Sequence, residues 1–190
     1  MRNLYRATYS SHIMHYVEMP VLQKLILMLL LKSAPQDLPY SSRLTVQLVA
    51  AYIFSGIVVL QTTLQPDDMI AGLILGFVVQ YVFIYLVLQA LDRRPRFLQT
   101  FCAVMGVGII FNLLSWPVFL VLSDALTSDT VKASMSLMFL MLISWEVLVK
   151  AYIFRHALEM KMFSALALSF SLFFISLALS QLFFPAVTAA

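Results

Sequence analysis

Five long apolar runs, each bounded by charge, leave this chain few ways to fold. Crossing about 30 Å of hydrocarbon takes roughly 20 apolar residues in a helix, and five runs meet that length. They extend from about Leu44 to Leu64, Met69 to Leu91, Phe97 to Leu122, 133 to 154 and Met162 to Phe184. Their borders are Arg43, the pair Asp67 and Asp68, the cluster Arg93, Arg94 and Arg96, then Asp124, Lys132, Arg155 and Lys161. None alternates with the short period of a membrane barrel strand. Helices satisfy every backbone donor and acceptor inside lipid, so the expected fold class is all-α: a polytopic membrane bundle of five transmembrane helices.

Composition agrees. Of 190 residues, 62% are hydrophobic and 11% charged, against about 45–50% and about 25% in soluble domains. A water-soluble fold has no means of hiding that much apolar surface. The formal charge of +3 is too small to imply a nucleic-acid partner, and Cys102, the single cysteine, excludes CxxC redox motifs and thiolate zinc sites. It reads as a small packing residue.

The placement of Lys and Arg gives the bundle a direction. Arg2, Arg6, Lys24, Lys32 and Arg43 precede the first run, Arg93, Arg94 and Arg96 follow the second, and Arg155 and Lys161 follow the fourth. Asp67, Asp68, Asp124 and Asp129 mark the opposite loops. By the positive-inside rule the N-terminus is expected in the cytoplasm, and five crossings put the tail, 185–190, in the periplasm of a bacterial inner membrane.

Residues 1–43 form an expected cytoplasmic segment. Within it Leu25 to Leu31 is strongly apolar but too short to span. Extended to about 20–32, it reads as an interfacial amphipathic helix whose lysines, Lys24 and Lys32, reach lipid headgroups. A signal peptide is the competing reading, weakened by the more than twenty residues before the apolar core and by Lys32 beside the cleavage region. Pro35 and Pro39 then bias Ala34 and Leu38 away from helix, making a short stiff linker.

Ionisable side chains at membrane depth are costly and point to function. Glu146 stands nine residues before Arg155, about 13 Å along a helix, and Lys150 follows one turn later in the favourable Glu-to-Lys order. Gln80 and Asn112 are their possible polar neighbours from the second and third spans. The competing structural reading is a neutralised pair, or a protonated glutamate, that only ties helices together.

Small residues suggest close helix packing: Gly72 and Gly76 in the second span, and Ala165 with Ser169, Ala167 with Ser171 and Ser176 with Ser180 in the fifth. Phe163, Phe170, Phe173 and Phe174 fill the surface between the latter. Gly106, Gly108, Asn112 and Pro117 suggest an irregular or kinked third span. His12 and His15 share a helical spacing but lack a third ligand, so no metal and no cofactor is expected. GxxxxGK[ST], HExxH and GxSxG sequences are missing, and no catalytic pair can be named. The chain is expected not to be an enzyme.

A cytoplasmic N-terminal segment, five closely spaced spans, short loops and a far-side C-terminus together resemble the Yip family of membrane proteins. PQDLPYS, Pro35 to Ser41, is faintly similar to the Asp-Leu-Tyr-Gly-Pro motif of eukaryotic members, without the tyrosine and glycine after Leu38. The resemblance implies a non-catalytic protein that acts through protein partners in membrane organisation or trafficking. The leading expectation is therefore a scaffold or accessory subunit working through helix contacts in the lipid bilayer, as a homo-oligomer or with another membrane protein. The alternative is a small transporter or channel that uses Glu146 as an intramembrane ion or substrate ligand.

Overall fold

The computed structural model describes residues 20–61 and 66–184. His12 and His15, the end of the first expected span and the tail 185–190 lie outside the described residues. The described residues form six α-helices and no strand: α1 (Val21–Leu29), α2 (Ser42–Leu60), α3 (Pro66–Ala90), α4 (Phe97–Ser123), α5 (Asp129–Leu158) and α6 (Met162–Phe183). From α2 to α6 each helix is long and apolar enough to cross a membrane. The chain is thus a multi-pass membrane protein, with a helical bundle as its fold.

Polar side chains set the helix ends. Ser41 caps α2, its Oγ accepting from Leu44 N at 3.4 Å, which satisfies one of the free donors of a first turn. α5 starts after Ser128 with Asp129 in its first turn, where negative charge suits the helix dipole. It continues through Arg155 and His156, four residues past the expected end at 154. At about 45 Å it outruns the hydrocarbon and carries both polar ends into the boundary.

α1, α3 and α5 close in the same way. Leu31, Asp92 and Glu159 adopt left-handed φ of 58°, 54° and 55°. The next amides reach back to Leu27 O, Leu88 O and Arg155 O at 2.8, 2.8 and 3.2 Å. This turn normally uses glycine, which has no Cβ to crowd the carbonyl; here a leucine and two acids occupy it. α3 and α5 finish side by side, joined by Arg93 and Arg96 on Glu159, and with Arg94, Arg155 and Lys161 in or next to the same loops we call this the basic end.

α4 is the central helix, packed between α2 and α5; α6 lies against α5 and α3, and α3 closes the ring against α2 and α4. Residues 100–108 of α4 are buried without interruption, packing in the core with Ile84, Leu88, Ile153 and Phe154. α4 runs as one helix through Pro117. Its glycines serve close packing: a Cβ at Gly106 would lie 2.5 Å from Leu25, and one at Gly108 2.7 Å from the Tyr52 ring.

α1 is seated on α4 and α5. Leu25, Met28 and Leu29 face inward while Leu22, Ile26 and Leu30 face outward, as an amphipathic helix at an apolar boundary requires. Trp145 Nε1 donates to Leu29 O at 3.1 Å, satisfying a carbonyl that the end of α1 leaves free. Lys24 differs from the expected headgroup anchor: it is buried, and its Nζ donates to Asp37 O at 2.8 Å. Lys32 is exposed. The linker is stitched down by Gln36 Nε2 to His156 O at 2.6 Å and by Gln99 Nε2 to Leu38 O at 2.9 Å, so the proline-rich segment is part of the bundle.

Candidate functional site

α2, α3, α5 and α6 diverge enough at mid-height to leave a cavity of about 180 Å³, walled by Tyr52, Gly76, Gln80, Glu146, Lys150 and Ser169, with Val147, Leu172, Phe173 and Ser176. Tyr52 lies ten residues into α2, and Gln80 ten residues before the end of α3. Both positions are about 15 Å from the basic end, level with Glu146. The cavity therefore lies near the middle of the hydrocarbon layer.

Glu146 Oε1 and Lys150 Nζ form an ion pair of 2.7 Å, with side chains 30% and 15% exposed. Across from them Gln80 Nε2 donates to Tyr52 Oη at 2.6 Å and more weakly to Gly76 O at 3.4 Å. Gln80 Oε1 is buried without a partner. Reversing the amide would put the oxygen against the Gly76 carbonyl and leave the nitrogen orphaned, so either orientation leaves one unsatisfied polar atom. Such an atom costs about 1–3 kcal/mol.

The structure brings Glu146, Lys150 and Gln80 to one cavity. Asn112 stands one layer behind: its Nδ2 donates to Ser55 Oγ at 3.0 Å, and Ser55 donates to Tyr52 O at 2.9 Å. The small residues divide. Ala165 is fully buried, and Ser169 Oγ donates to Val147 O at 2.7 Å, so these two hold α6 on α5. Ser176 lines the cavity, whereas Ser180 is exposed and Gly72 half-buried. Gly76 is not a point of close approach, because a Cβ there would have nothing within 4 Å; it widens the cavity instead. Tyr52 and Ser55 are additions to the residues singled out from sequence. Tyr52 carried a usable signal, since tyrosines in membrane helices favour the interfaces and this one lies mid-span.

An ion pair, a phenol, an amide and serine hydroxyls around one partly open cavity can hold several waters or one small polar solute. A buried ion pair contributes little net stability over well-packed apolar residues.

Compared with known families, characterised proteins and solved structures, the chain matches no family model, no curated protein and no solved structure.

Proposed function

We propose that the chain is a small membrane carrier or channel for a small polar solute or ion, with the Glu146–Lys150 pair as its binding site. The observation that supports this reading is the mid-membrane cavity in which the pair, Tyr52 and the Gln80 amide meet. A ligand carrying a donor would compete with Lys150 for Glu146. A proton on Glu146 would release Lys150. Protonation changes the charge of the site and supplies the differential binding that coupled transport needs.

The scaffold reading has less to stand on. Ala165 and Ser169 pack within the chain, and Gly76 and Ser176 face the cavity, so most of the small-residue seam is used inside the bundle. Orientation with the basic end toward the cytoplasm follows from the charge bias and belongs to the same proposal.

The test is flux in liposomes reconstituted with the purified chain, read by an entrapped pH-sensitive dye and by uptake of small amines, amino acids and monovalent cations. Glu146→Gln should abolish a flux that the parent supports. Unchanged flux and unchanged ligand-dependent stability in Glu146→Gln would remove the proposal.

A further inference from the structure

We propose that the basic end of the bundle carries a slot for an anionic phospholipid, with Arg94 bound to the lipid phosphate. The slot is a second cavity of about 210 Å³, walled by Tyr40, Tyr85, Leu88, Arg94, Phe97 and Leu98. It is separate from the Glu146 site and shares no residue with it.

Charge accounting singles out Arg94. Arg93 Nη2 pairs with Glu159 Oε2 at 2.5 Å, and Arg96 with Glu159 Oε1, so one carboxylate holds two of the three clustered guanidinium groups. Arg96 also donates to Ala157 O at 3.0 Å, capping the last turn of α5. Arg94 has no carboxylate partner among the described residues, and it opens onto the slot. Its planar fork matches a phosphate.

The depth of the walls argues for a lipid. Arg94 lies in the loop between two spans, at headgroup level. Tyr85 is five residues before the end of α3, about 7.5 Å deeper. Below the guanidinium the walls are Leu88, Leu98, Phe97 and the Tyr85 ring, which suit the first carbons of an acyl chain. Tyr40 and Tyr85 sit where tyrosine rings favour the membrane boundary. A phosphate at the mouth and a hydrocarbon chain beneath it complete a phospholipid, and an anionic headgroup adds the attraction that a zwitterionic one lacks.

The experiment uses the full chain, stripped of lipid in a neutral detergent, and titrated with dioleoylphosphatidylglycerol or dioleoylphosphatidylcholine in mixed micelles. Bound lipid is read by native mass spectrometry and by the melting temperature. The parent should prefer the phosphatidylglycerol by about fivefold. Arg94→Gln should erase that preference, Arg94→Lys should keep part of it, and Arg155→Gln, which removes a basic residue at the same end, should leave it intact. Leu98→Trp, which fills the slot with Arg94 still present, should exclude the lipid and keeps the test decisive where Arg94→Gln folds poorly. The proposal is overturned by equal retention of the two lipids, by equal losses in Arg94→Gln and Arg155→Gln, or by undiminished binding to Leu98→Trp. Full competition by inorganic phosphate also overturns it, because the site would then take free phosphate.

Discussion

Lys150 Nζ sits 2.7 Å from Glu146 Oε1, one turn along α5, in the wall of a cavity about halfway through the bundle. The Lys150 side chain is 15% and the Glu146 side chain 30% exposed, so each depends largely on the other. Glu146→Gln and Lys150→Met should each lower stability by about 3–5 kcal/mol, because either leaves one charge uncompensated. The double variant should recover most of that loss. Melting of the four proteins in one detergent gives the coupling directly, and additive losses would show that the pair is not coupled.

Two glycines at similar depth should behave in opposite ways. Gly108→Ala drives a Cβ into the Tyr52 ring, and overpacking of this kind costs about 1–3 kcal/mol. Gly76→Ala meets open space and gains helix propensity of up to about 1 kcal/mol. Thermal midpoints should therefore fall for the first and hold or rise for the second.

The Glu159 carboxyl is held below the ordinary carboxylate range by the hydrogen bond from Arg96, with further help from the charge of Arg93. A group with a lowered folded-state pKa contributes stability above the ordinary value, about 4.3 for glutamate, and loses it as pH falls through the lowered value. Glu159→Gln should therefore melt below the parent at pH 7, with the two curves converging in acid. A gap that does not narrow at all as the pH is taken down into acid would assign the effect to packing. Glu159 is half exposed, so salt should narrow the gap at neutral pH.

Asp92 is exposed and holds a left-handed φ of 54°, a conformation that costs glycine little. Asp92→Gly should raise the melting temperature, by an amount corresponding to up to about 1 kcal/mol. A decrease would mean that the aspartate side chain contributes more than its backbone strain removes.

The five spans were legible because lipid imposes a length and a polarity that any crossing helix must meet. Glu146 and Lys150 were legible as a pair through their spacing on one helix, and Gln80 through its rarity in an apolar run. Which helices face one another is not written in any single run. No local pattern therefore marks Tyr52 as the partner of Gln80, or sets Asn112 behind Ser55 and away from the cavity. Gly76 has the GxxxG spacing yet meets open space, because the pattern records an available gap and not what fills it. Lys24 reads as an anchor in sequence; the proline linker folds back and offers it the Asp37 carbonyl, which no local pattern anticipates.

The central claim is that the cavity beside Glu146 admits water-soluble ligands, and thiol accessibility tests it without knowledge of the substrate. Ser176→Cys lies on the cavity wall, while Phe170→Cys lies on the exposed apolar face of α6; both would be made with the buried Cys102 replaced by alanine. A thiol reacts as the thiolate, which forms in water and not in lipid. In native membranes a small cationic methanethiosulfonate should label Ser176→Cys and spare Phe170→Cys. Ser176→Cys silent from both sides of the membrane, at equal expression, would contradict the account.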